Sequence, residues 1–172
     1  MNAERFLHQL MRFPAVLSAL VTDLTPEELQ WRPGESDWSI LEILCHLLDE
    51  EVDDFRTRLR MTLECPGEFW PAIDPVEAAI DRQYRQQDAT EILQRFNAER
   101  QASLAWLRQL QSPDWSTQYH HPKLGVLRAG DLLSAWVAHD VLHLKQITKR
   151  LYQRTVAEAE PFETQYAGEW QA

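Results

Sequence analysis

"LLSAWVAHDVLHLKQI", Leu132 to Ile147, is the stretch on which the fold turns. Leu132, Leu133, Trp136, Val137, Leu144 and Ile147 recur at three- and four-residue intervals. At about 100° per residue that spacing gathers them on one arc of an α-helix, and no strand-like alternation competes. The same stretch sets His139 and His143 four residues apart, within roughly 40° of each other and beside the apolar arc. β-carbons at that spacing lie about 5–6 Å apart, close enough for two imidazoles to share one ion. Neutral imidazole is also the commonest metal-donating side chain. The competing reading is a pair of hydrogen-bonded core histidines. A zinc-peptidase HExxH helix is excluded, because Asp140 stands where that motif needs glutamate.

Working outward, three more helical patterns appear and no convincing strand. The first covers about Ala3 to Leu24, with Pro14 inside it predicting a kink or a fresh start. "TPEELQWRPGESDW" reads as a short capped turn and a loop, with Thr25 as cap and Pro26 at the first helical position. The second long helix runs from about Ser39 to Met61, burying Ile40, Leu41, Ile43, Leu44, Leu47, Leu48, Val52, Phe55 and Leu59. Ser39 and Glu42 make a capping box at its start. After a shorter helical segment near Val76–Tyr84, the third runs from Asp88, where Glu91 completes another capping-box pattern, to about Leu110. The fourth extends from about Ala129 to Arg154, and the aromatic tail beyond it is left to pack back on the bundle. Four helices of this length joined by loops predict an all-α four-helix bundle, one domain over residues 1–172.

Composition narrows the function. Hydrophobic residues make up 44% of the chain, enough for a real core, and five glycines are few for a β-rich protein. A formal charge of −10 repels a phosphate backbone, so no nucleic-acid partner is expected. Cys45 and Cys65 are too few for a disulfide scaffold and fit a reduced, cytoplasmic setting. The start carries Glu4, His8 and Arg12 within its apolar pattern, unlike a signal-peptide core, and no apolar run is long enough for a membrane span.

A metal needs a third donor. His46, in "ILEILCHLLDEE", sits at the flank of the second helix's apolar stripe, where a side chain reaches into a cleft between helices. Alone it reads as structural. Glu50, one turn on, shares that edge and is either a proton acceptor, an orienting group or metal ligand, or a solvated surface carboxylate. His120 and His121 read as exposed loop residues, and His8 lies on a polar face. Trp31, Trp38, Trp106 and Trp136 are either cavity walls or, as aromatics at helical spacing more often are, core.

Two segments carry a family resemblance. "LTPEELQWRPGESDWSILEILCHLLDEE" has a Trp-Arg-Pro turn, a Trp-Ser helix start and a histidine two turns in; "HPKLGVLRAGDLLSAWVAHDVLHLKQI" has a glycine turn, a Leu-Leu pair and H-D-x-x-H-L-x-Q-I. In that order they resemble the DinB-like superfamily, the YfiT-like metal-dependent hydrolases, distinct from the DNA polymerase that shares the name. The resemblance implies an up-down-down-up bundle and a divalent metal, nickel or zinc, held by His46, His139 and His143. It implies an enzyme that activates water or a low-molecular-weight thiol (a hydrolase or an S-transferase), with Glu50 and Asp140 as the weak catalytic candidates. It also implies a small-molecule substrate and homodimerisation through exposed helix faces. The rival expectation is a non-catalytic, stress-related binding protein whose metal site is structural or vestigial.

Overall fold

Asn2 caps the first helix, α1 (Ala3–Val21), by accepting from the Arg5 N–H, and Leu10, Phe13, Leu17 and Val21 form its buried stripe. Pro14 neither stops nor restarts it. A proline cannot donate to the carbonyl four residues back, so the Leu10 oxygen is free, and buried Arg100 donates to it from Nη1 at 3.1 Å. The expected break is thus absorbed by a cross-bundle hydrogen bond. The chain is described by a computed structural model over residues 2–170.

Thr25 and Glu28 form a reciprocal capping box on α2 (Pro26–Gln30), and Ser39 and Glu42 form the expected one on α3 (Ile40–Asp49). The second long helix then departs from simple periodicity. Glu50–Arg56 is a π-helical segment before α4 (Thr57–Glu64), and the Thr57 hydroxyl donates to the Val52 carbonyl five residues back. Inserting a wider turn shifts the register, so Glu50 and Glu51, consecutive in sequence, are both buried. The helix ends three residues later than the sequence suggests. α5 (Pro75–Asp81), capped by Asp74, and a 3₁₀ turn (Tyr84–Gln86) lead to α6 (Ala89–Gln109). There Asp88 accepts from the Glu91 N–H, one half of the expected capping box.

The expectation of no strand is corrected. β1 (Gln118–His121) and β2 (Gly125–Arg128) form an antiparallel hairpin, with Tyr119 paired to Leu127 and His121 to Gly125. Trp70, from the loop after α4, stacks on Tyr119 with centroids 3.7 Å apart, and its backbone N–H donates to the Tyr119 hydroxyl. His121 closes the turn by accepting the Lys123 and Leu124 N–H groups on Nδ1, while His120 and His8 are exposed. α7 (Ala129–Glu158) completes the bundle. Of the tail aromatics, Trp170 meets Tyr152, whereas Phe162 and Tyr166 are exposed.

Side-chain pairings give the helix directions. Phe13 meets Phe96 and Leu10 meets Arg100, so α1 and α6 run antiparallel. Glu51 meets Arg100 and Glu64 meets Trp106, so the second helix and α6 run parallel. Asp37 meets Arg150 and Phe55 meets Trp136, so α7 opposes the second helix. The path is up-down-down-up. Two apolar clusters fill it, one around Leu44, Leu47, Phe96 and Ile147, the other around Leu59, Leu104, Leu133 and Trp136. Among the described residues, no helix is long and apolar enough to cross a membrane.

Candidate metal centre

α7 brings His139 and His143 to the second helix at the level of His46. The His139 and His143 Nε2 atoms are 3.0 Å apart, and the His46 ring lies 5.4 and 4.8 Å from theirs, centroid to centroid. One donor atom from each of the three lies within 4.8 Å of the others. Nitrogens bound to one ion at about 2.0–2.1 Å stand roughly 3–3.4 Å apart. The α7 pair is already at that spacing, and the His46 donor stands within 4.8 Å of both.

The surroundings keep the imidazoles neutral. The His143 Nδ1–H donates to the Gln146 Oε1 at 2.8 Å, which leaves Nε2 without a proton. Burial, and then the neighbouring imidazoles, push His46 and His139 down to about 3; burial lowers His143 against the pull of Gln146. Neutral imidazoles need lose no proton to take up a cation. His46 is 6% exposed, and its Nδ1 has no hydrogen-bond partner among the described residues. Trp38 packs edge-on against it with centroids 4.9 Å apart, and Phe55 lies 5.0 Å from His139.

Glu50 is not a solvated surface group. It is 8% exposed, with Oε1 3.7 Å from the His46 Nδ1. Burial, and then Asp54 beside it, push its carboxyl up to about 8; burial raises Asp54 as well, against its ion pair with Arg58 at 2.8 Å. His46 and Glu50 line a cavity of about 430 Å³, walled by residues of α3, the π segment, the 71–75 loop and α5. None of the four tryptophans singled out in the sequence lines it.

Asp140 has a different partner. It faces away from the histidines and is locked to Arg100 by two bonds, 2.7 and 2.9 Å, at 3% exposure. Arg100 makes four hydrogen bonds, two to Asp140, one to the Leu10 carbonyl and one from Nε to the Glu51 Oε2, which also accepts the Trp136 Nε1–H; its Nη2 stands 2.9 Å from the same Glu51 oxygen as an ion pair. Burial opposes its charge, yet Asp140 and Glu51 hold it protonated, while burial pushes Asp140 up to about 6. Neither Arg100 nor Glu51 was singled out in the sequence. The signal was there, since Arg100 interrupts the stripe Phe96–Arg100–Leu104 at four-residue spacing.

A family model of the DinB superfamily matches residues 9–147. The chain belongs to this superfamily. Its structure is similar to that of YfiT from Bacillus subtilis, a probable metal-dependent hydrolase with an unusual four-helix bundle topology. The TM-score is 0.79 at 18% identity, over 88% of this chain and 86% of that one. Among curated proteins, none matches this chain.

Proposed function

We propose that this DinB-superfamily protein is a divalent-metal-dependent enzyme in which His46, His139 and His143 hold one ion. The observation that carries the reading is the convergence of three neutral imidazoles from two helices, their donor atoms within 4.8 Å, with His46 opening on a cavity. The metal-dependent chemistry ascribed to YfiT supports it. Three imidazole nitrogens suit nickel or zinc and leave coordination positions free, as catalytic sites do. When bound, the ion supplies Lewis acidity, lowering the pKa of water or of a low-molecular-weight thiol.

The chain's own residues have definable roles. Gln146 holds the His143 ring with Nε2 facing the His139 Nε2. Trp38 and Phe55 pack against the imidazoles and exclude water from that side. Glu50, on the cavity wall beside His46, is positioned to accept and return a proton at Oε1. The two reactions that fit are hydrolysis and S-transfer, with a small molecule in the cavity.

Elemental analysis of untagged protein should find about one nickel or zinc per chain, lost in His143→Ala with helicity retained. A screen of ester, amide and thiol-conjugation substrates on metal-loaded protein then separates the two chemistries. Wild-type protein that takes up no stoichiometric metal refutes the reading. Stoichiometric metal with no exchangeable ligand on the ion replaces it with the non-catalytic one.

A further inference from the structure

The cavity that His46 opens on is lined by six carboxylates, Asp49, Glu50, Asp53, Asp74, Glu77 and Asp81, against a single basic side chain, Arg82. That guanidinium is already spent. It pairs with Asp49 at 2.6 Å and Asp53 at 2.8 Å, and Asp49 also accepts the Tyr84 hydroxyl. Asp74 turns one oxygen to the Val76 and Glu77 N–H groups as the cap of α5. Glu77 and Asp81, one turn apart on α5, are exposed and have no ion pair or hydrogen bond among the described residues. An anion entering here meets no unpaired cationic side chain on the wall. The remaining wall is small and apolar, from Pro71, Ala72, Ile73 and Ala78.

Carboxylates alone would make only a solvated face. Here they surround a cavity of about 430 Å³, a size that takes a metabolite. Within it lies His46, 6% exposed, with an unpartnered Nδ1. We infer that the substrate carries a protonated amine or guanidinium, which Glu77 and Asp81 draw in and hold at the far side of the cavity from its reacting group. The inference rests on the proposed metal centre for where the reacting group sits, and on the cavity wall alone for the charge. For the S-transfer chemistry, it selects a thiol or acceptor bearing an amine over one bearing additional carboxylates.

The test uses three five-carbon probes of similar length, cadaverine, pentanediol and glutarate, titrated calorimetrically into nickel-loaded full-length protein at low ionic strength. Cadaverine should bind once per chain, about tenfold or more tighter than pentanediol, and glutarate more weakly than cadaverine. An exposed charge pair contributes about two- to fivefold, so the E77Q/D81N variant should lose roughly five- to twentyfold in cadaverine affinity. Its nickel content and its pentanediol affinity should stay the same, and the charge-reversed E77K/D81K variant should favour glutarate. Equal binding of cadaverine and pentanediol, tightest binding of glutarate, or full cadaverine affinity in E77Q/D81N overturns the inference. Nickel uptake without cation preference leaves the metal centre standing and removes this inference. Cation preference in a protein that takes up no nickel does the reverse.

Discussion

Replacing Arg100 by methionine tests what holds the bundle's polar interior together. The side chain is 1% exposed and makes four hydrogen bonds and a further ion-pair contact, so the substitution keeps most of the packing volume while stripping those donors. Two acceptors are orphaned at once, Asp140 at 3% exposure and the Leu10 carbonyl that Pro14 leaves free, and Glu51, at 1%, loses its counter-charge and keeps only the Trp136 N–H. Removing one partner of a buried ion pair costs about 3–5 kcal/mol, and a buried carbonyl without a donor pushes toward the upper end. For a chain of this length that is a Tm drop of roughly 6–20 °C. Urea unfolding at pH 7.5 should show the loss as a lower midpoint with an unchanged slope.

Acid should soften it. Burial already raises the Asp140 carboxyl above its unfolded value near about 4, and losing the guanidinium that opposes this raises it further, so the native state binds the extra proton and gains stability as pH falls. The deficit at pH 5 should be smaller than at pH 7.5. The triple variant E51Q/R100M/D140L removes the buried charges together, keeps an acceptor for the Trp136 N–H, and should return to within about 1–2 kcal/mol of wild type. A loss under about 1 kcal/mol in Arg100→Met, or a triple variant no better than the single, would refute the reasoning.

At the histidines, Gln146→Ala removes the group that fixes the His143 tautomer and should weaken nickel or zinc about 10- to 100-fold, without abolishing binding, in a competition assay with a chromophoric chelator. Metal-stripped protein should lose stability as pH falls below about 6.5, because the unfolded imidazoles take protons that the native ones, held low by burial, refuse. The slope approaches about 1.4 kcal/mol per pH unit for each imidazole, and a flat urea midpoint between pH 7 and 5 contradicts it. Exposed Cys65 should be alkylated rapidly in native protein and buried Cys45 only on unfolding, so mass spectrometry that finds both labelled at one rate contradicts the packing around α3. A gel-shift titration with duplex DNA at physiological salt should show no binding in the micromolar range, given the net charge of −10.

The four bundle helices were legible because each buries an apolar stripe long enough for its period to show, and Ser39 and Thr25 mark helix starts with their own chemistry. The hairpin was not. Its strands are four residues each, and what stabilises it is a stack with Trp70, forty-nine positions from Tyr119 and invisible to any local pattern. The π segment was hidden for another reason. Glu50 to Arg56 has no composition that separates a π turn from an α turn, and the contacts that go with it, Glu50 beside His46 and Glu51 on Arg100, are not local to the segment. Pro14 was legible as a missing donor, but the group that answers it lies on another helix.

Adjacent residues on a regular helix point about 100° apart, so two in a row cannot serve one site unless the backbone is distorted or the sites are different. This chain has two such pairs, Glu50–Glu51 and His139–Asp140, on helices that face each other. Glu50 and His139 turn to the side where His46 and His143 gather, and Glu51 and Asp140 turn to Arg100. Asp140 lies one position past His139 and three before His143, so its two hydrogen bonds to Arg100 fix the rotation of α7 at the level where both imidazoles project. Glu51 does the same for the opposing helix, with the π turn supplying the register that burying Glu50 as well requires. The buried ion cluster is therefore the frame of the histidine cluster, and a spacing that reads as one metal motif in sequence divides in space into a binding face and the anchor that aims it.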